Sequence, residues 1–286
     1  MRKKYVFLDS GIGGLPYFRY FHKKAPQASA AYVADLEHFP YGEKTREEVI
    51  KYALDVTEKI IDRLNPAMII VVCNTMSTAA LDALRKHFSI PFIGTVPAVK
   101  VAAEVSANKR IGVIATARTI NDPYLDNLIE SFAADCTIER RADAELVAKI
   151  ENGLITAPDE EKRKAVAPAI RQFKDAGVDT IVLACTHFLH LADIFTECAA
   201  PSIKIVDSLP GVVSHALEVL PPLPELFPMH WMCCLRLPVG KYPAAVAMLR
   251  AKSPIASTGC TVAIASFSIS TGRESCNAGA GIKRRK

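Results

Sequence analysis

The chain has 286 residues, half of them hydrophobic, with a formal net charge of +5. That length suits one large domain or two smaller ones, and no apolar run approaches the roughly 18–20 residues of a membrane-spanning helix. Residues 1–220 hold 26 Lys+Arg against 28 Asp+Glu and residues 221–286 hold 9 against 2, so the body lacks the basic stripe of a nucleic-acid surface.

The opening segment, MRKKYVFLDSGIGG, has no long apolar h-region and reads as a strand and turn rather than a secretory signal. A cytoplasmic location with reduced thiols is the expectation. Strands are predicted at Tyr5–Leu8, Ala30–Ala34, Met68–Val72, Ile111–Ala115, Thr180–Ala184 and Ile203–Val206. Helices are predicted at Arg46–Leu64, Ser77–His87, Asp122–Phe132, Glu160–Lys174 and Val212–Leu220. The strands are continuous Val/Ile runs, which indicates parallel sheets covered on both faces and an α/β class. Ligands in such folds bind at the C-terminal ends of strands.

The two halves repeat weakly. YVFLDSG and IIVVCNT in the first parallel IGVIATA and TIVLACTH in the second, as expected of two similar α/β domains facing each other. Pro91 and Pro97 suit a crossover near FIGTV, and IKIVDSLPG at 203–211 suits a return to the first domain. After about Leu220 the texture changes. Residues 221–286 carry 7 of the 18 prolines and 4 of the 8 cysteines, and the serine-rich basic end reads as disordered. A short helix over Ala244–Lys252 is compatible with its pattern.

The chemistry-bearing residues follow strands. Asp9–Gly14 (DSGIGG) forms a turn whose backbone N–H groups could hold an anion; it matches neither a Walker A loop nor a G-x-G-x-x-G fingerprint. Cys73-Asn74-Thr75 and Cys185-Thr186-His187 are matched, 112 residues apart, far beyond a metal knuckle or CxxC pair. Each cysteine is expected to face the N-terminus of the next helix, which favours a thiolate over the ordinary pKa of about 8.5. Asn74, Thr75 and Thr186 add donors for a carboxylate, and His187 could relay the Cys185 proton. Alone, each cysteine reads more readily as a buried small hydrophobe; the matched polar company favours a site with one sulfur on each side of a substrate. Tyr41-Gly42 in PYG reads as a turn at least as readily as a site group, and Glu151 in IENG reads better as a solvated helix-end carboxylate than as an inward-pointing one. No histidine shows metal-ligand spacing, so no metal is expected.

DSGIGG at 9–14, PYG at 40–42, CNT at 73–75 and CTH at 185–187, in this order, resemble the glutamate racemase family over about residues 4–220. The resemblance implies two pseudo-symmetric α/β domains with the site in their cleft. The first would comprise 1–97 plus about 209–222, the second 98–208, and 223–286 would be an atypical, partly disordered tail. It implies a cofactor-independent isomerase that interconverts L- and D-glutamate for peptidoglycan synthesis, with glutamate as small-molecule partner and compatible with a homodimer. By this resemblance Cys73 and Cys185 are the acid/base thiols, Asp9 assists the first, and His187 and Glu151 lie near the second. Asp9, Ser10, Tyr41, Gly42, Asn74, Thr75, Thr186 and His187 match the substrate-binding pairs. Thr116 and Thr119 lie in ATART, where Arg118 stands in the family's usual glycine place. MHWMCCLRLPVGKYP does not resemble the family's closing strand and helix, an abrupt change that a shifted reading frame near 220–230 would produce. Other readings stay open: a related racemase or isomerase for aspartate, a hydantoin or maleate, a thiol hydrolase using Cys185 and His187, or a non-catalytic binding protein.

Overall fold

The computed structural model describes residues 4–222 and the backbone of 232–236. The first half runs β1 (Lys4–Asp9), α1 (Leu15–Lys24), β2 (Ser29–Asp35), α2 (Arg46–Leu64), β3 (Met68–Val71), α3 (Asn74–His87), β4 (Phe92–Gly94) and α4 (Val99–Val105). The second runs β5 (Arg110–Ala115), α5 (Ala117–Ile120), α6 (Pro123–Phe132), β6 (Thr137–Ala142), α7 (Ala144–Glu151), α8 (Asp159–Asp175), β7 (Thr180–Leu183), α9 (Ala192–Ala199) and β8 (Lys204–Val206). Then follow α10 (Leu209–Val219) and β9 (Met232–Arg236).

The strands form two sheets, in the orders β4-β3-β1-β2-β9 and β6-β5-β7-β8, and every pairing is parallel. Parallel strands need covered crossovers, and the helices supply them. MIIV of β3 and TIVL of β7 are buried at every position, which is why these central strands read as unbroken apolar runs. The α/β expectation holds, and all six predicted strands are present within a residue or two. Helix α2 begins at a capping box: Thr45 Oγ1 accepts from Glu48 N–H at 3.2 Å and Glu48 Oε2 accepts from Thr45 N–H at 2.8 Å, satisfying two free donors of the first turn.

Three strands were not foreseen. β4 has only three residues, and β6 (TIERRA) is an edge strand whose charged side chains break the apolar pattern. β9 lies in the segment expected not to resemble a closing strand, yet it pairs in parallel with β2 from Ala31↔Met232 to Asp35↔Arg236. The predicted helix over Ala244–Lys252 and the disordered end lie outside the described residues.

Helix α10 returns to the first half, packing on α1 and β4; Tyr17 and Ser208 hydroxyls meet at 2.8 Å across that contact. One apolar cluster runs through both halves, from Phe7, Tyr32 and Ile70 to Ile114, Phe173 and Phe195. It holds the C-terminal strand ends of the two sheets toward a shared cleft. Among the described residues no helix is long and apolar enough to cross a membrane.

Candidate active site

Strands β1 and β3 are neighbours, with Leu8 opposite Val71, so the turn after β1 and the cysteine after β3 come together. Cys73 occupies the N-cap of α3, where its sulfur accepts from Met76 N–H at 3.5 Å. This places the start of α3 at Asn74, three residues before the predicted Ser77, because the CNT segment is already helical. Ser10 Oγ lies 3.5 Å from Cys73 Sγ.

Cys185 follows β7 in the other sheet, but the segment after it differs from expectation. A 3-10 turn spans Thr186–Leu191, and no cap bond reaches the sulfur. Its neighbour is a histidine instead: Cys185 Sγ lies 3.7 Å from His187 Nδ1, and His187 Nε2 lies 2.6 Å from Glu151 Oε1. The two thiols are therefore served differently, one by a helix N-terminus and one by an imidazole–carboxylate pair.

Both cysteines are 5% exposed and both line one cavity of about 100 Å³. At roughly 10–15 Å³ per water-sized group, that holds an amino-acid-sized molecule and no polymer. Ser10, Tyr41, Gly42, Asn74, Thr75, Thr116, Thr186 and His187 complete its polar wall. Thr75 Oγ1 meets Thr116 Oγ1 at 3.0 Å across the halves. Thr119 stands behind, 3.4 Å from Thr75 Oγ1 and 3.2 Å from Thr116 Oγ1. Arg118 turns away, its Nη2 donating to Asp122 Oδ2 at 3.0 Å, so it leaves the threonines free to face the cleft.

Asp9 and Glu151 are buried behind the wall rather than on it. Asp9 accepts from Ser10 N–H at 2.7 Å, Gly14 N–H at 2.5 Å and Tyr32 OH at 3.0 Å, which fixes the turn that carries Ser10. Glu151 also accepts Ile12 N–H from that turn, at 3.0 Å. The turn therefore touches the surroundings of both sulfurs. Its glycines permit the approach: a Cβ on Gly13 would stand 2.5 Å from Thr186 Oγ1 and 2.7 Å from His187 Nδ1.

Burial, and then the nearby Asp9 carboxylate, push the Cys73 thiol well up. Burial raises Asp9 too, against the opposing pull of His187 and the backbone donors. Burial alone would lower His187, but its bonds with Cys185 and Glu151 win and hold it well above its ordinary value. Glu151 is held below its ordinary value, the His187 pairing outweighing burial. These shifts favour the protonated ring at His187 beside the Cys185 sulfur and the neutral thiol at Cys73.

Tyr32 and His190 escaped the sequence reading; the signal for each was a polar atom inside an otherwise apolar run. Asp35, Glu37 and His38 bring ligand-type atoms within 4.8 Å of one another, but Asp35 Oδ2 already meets Tyr41 OH at 2.7 Å and His38 Nδ1 at 2.8 Å.

A model of the Asp/Glu/Hydantoin racemase family matches residues 17–216, a span that includes both cysteines. The chain belongs to that family. It is 45% identical over 223 residues to the glutamate racemase of Treponema pallidum (strain Nichols), covering 78% of this chain and 83% of that one. It is 34% identical over 221 residues to the glutamate racemase of Glaesserella parasuis serovar 5 (strain SH0165), covering 77% and 82%. Its fold matches that of Escherichia coli glutamate racemase in complex with L-glutamate and the activator UDP-MurNAc-Ala, with a TM-score of 0.75 at 28% identity over 92% of this chain and 97% of that one. Membership makes the chain an isomerase of the racemase type.

Proposed function

We propose that this racemase interconverts L- and D-glutamate by proton transfer between Cys73 and Cys185, supplying D-glutamate for peptidoglycan from the cytoplasm. The relatives named above support the substrate, and the resemblance in the four motifs supports the cell-wall role. The observation that carries the mechanism is one cavity shared by two thiols, each from the end of a strand in a different sheet. The working units in this reading are 1–97 plus about 209–222, and 98–208.

Racemisation removes the α-proton from one face and returns a proton to the other. The substrate α-C–H is weaker than a thiol by on the order of 15 pKa units, a gap of about 20 kcal/mol. Thiol basicity alone does not close that gap. The donors of Ser10, Thr75 and Thr186 stabilise charge developing on the substrate carboxylate, and a substrate that fills the cavity displaces its water. Asn74 Oδ1 is buried without a partner, which suits it to accept from the substrate ammonium.

For one enantiomer the proton passes from substrate to Cys185 and from Cys73 to substrate. Cys73 carries its proton and acts as acid. The sulfur of Cys185, 3.7 Å from His187 Nδ1, acts as base and takes the α-proton. After transfer the base has become a thiol and the acid a thiolate, so the opposite enantiomer finds the roles exchanged.

Circular dichroism of the purified protein with L-glutamate, and no added cofactor, tests this. The signal should decay to zero, and Cys73→Ala and Cys185→Ala should each lower the rate by more than about 10³-fold at unchanged melting temperature. A steady signal with wild-type protein rejects the substrate. Substantial racemisation by either variant rejects the two-thiol scheme.

A further inference from the structure

The two halves meet on one residue of the Asp9–Gly14 turn. Ile12 N–H donates to Glu151 Oε1 at 3.0 Å, and Ile12 C=O accepts from His190 Nε2 at 2.9 Å. Glu151 comes from α7 and His190 from the 3-10 turn after Cys185. We propose that His190 is a positioning residue: by holding the Ile12 carbonyl it docks the first-half turn onto the second half and so keeps the Glu151–His187–Cys185 chain in register. This rests on the reading of His187 and Glu151 as the groups that serve Cys185.

Glu151 depends on this docking more than its burial suggests. Its Oε1 takes both the Ile12 N–H and His187 Nε2, whereas its Oε2 is buried with no partner. The carboxylate is anchored through one oxygen only. If the turn drifts, Glu151 loses one of its two anchors, and its position against His187 is no longer fixed. The turn has little slack in the docked position. A Cβ on Gly11 would stand 2.2 Å from Glu151 Oε1.

The hydrogen bond also fixes the state of His190. A carbonyl can only accept, so Nε2 carries the proton. Burial holds the ring down at about 4, which leaves it neutral with this single tautomer at neutral pH. Cys185, Glu151 and Asp9 face the His187 ring, and His187, Arg19 and Glu151 face the His190 ring. His190 therefore acts on the chain through geometry, with no charge of its own.

The test compares full-length His190→Leu, which removes the donor, with His190→Gln, whose amide reaches to about the place of Nε2. Ring-nitrogen NMR of substrate-free protein reads the titration midpoint of His187. In His190→Leu the midpoint should shift by about one unit or more, and kcat/KM should fall roughly tenfold or more as the relay loses its alignment. In His190→Gln both should stay near wild type. An unchanged His187 midpoint in folded His190→Leu overturns the proposal, as does a Gln variant no better than the Leu one. If His190→Leu does not fold, His190→Asn replaces it, since its amide is too short to reach; equal midpoints in Asn and Gln then overturn the proposal. Because the midpoint is read without substrate, a wild-type protein inactive on glutamate would reject the functional reading while leaving this measurement decisive on its own.

Discussion

Cys73 and Cys185 stand at equivalent strand ends, and their immediate partners make them unequal. Cys73 has a hydroxyl and a helix N–H; Cys185 has an imidazole backed by a carboxylate. What brings these sets together is an absence of side chain, since Gly13 passes where any Cβ would overlap Thr186 and His187. Both of those residues are buried and cannot step aside cheaply. Gly13→Ala should therefore cost about 1–3 kcal/mol in urea unfolding and lower kcat/KM by roughly 10²-fold through misplacement of His187. Wild-type activity in this variant would show that the approach is looser than the geometry states. Cys73, Asn74, Thr75, Cys185, Thr186 and His187 were legible in the chain because small polar residues follow apolar runs where a core would want apolar ones. Glu151 was legible only through the family resemblance: by its own pattern a helix-end glutamate looks solvated until the first-half turn is packed over it. His190 showed only a polar ring in an apolar run, since the fold alone brings the Ile12 carbonyl to it.

At the scale of elements, the legible ones were those whose burial matches a simple period. Central strands β1, β3, β5 and β7 are apolar on both faces, and α2 shows its start in Thr45 and Glu48. The edge strand β6 was hidden because one flank faces solvent and its Glu and Arg residues break the run. β9 was hidden because its neighbours resemble nothing in the family, although pairing to β2 requires only backbone groups. The 3-10 turn after Cys185 was read as a helix because its apolar spacing over FLHL fits either geometry. Helix α10 supplies a stability test. Gly211 sits on its exposed side, and a Cβ added there would have nothing within 4 Å; a helical glycine costs roughly 0.5–1 kcal/mol relative to alanine. Gly211→Ala should raise unfolding stability by about that amount, with activity unchanged. A loss of stability would contradict a helix at this position.

Across the whole molecule, two sheets are held over one cleft by a shared core, and the His187–Glu151 pair lies where they meet. That pair gives stability a pH dependence with a defined sign. His187 is raised above its ordinary 6.5, so its contribution is complete below about 6.5 and is lost as pH rises through the raised value. Glu151 is lowered from its ordinary 4.5, so its contribution is complete above about 4.5 and is lost as pH falls through the lowered value. The stability difference between wild type and Glu151→Gln should thus be largest between about pH 4.5 and 6.5 and shrink on both flanks; a flat difference would show that the pair is not ionised. The central claim is that two thiols exchange the α-proton from opposite faces, and early turnover of L-glutamate in D2O tests it most directly. Exchange between opposed thiols predicts D-glutamate carrying one deuterium at Cα while the remaining L-glutamate stays unlabelled. Unlabelled product, or deuterium entering both enantiomers equally from the first turnovers, would contradict it.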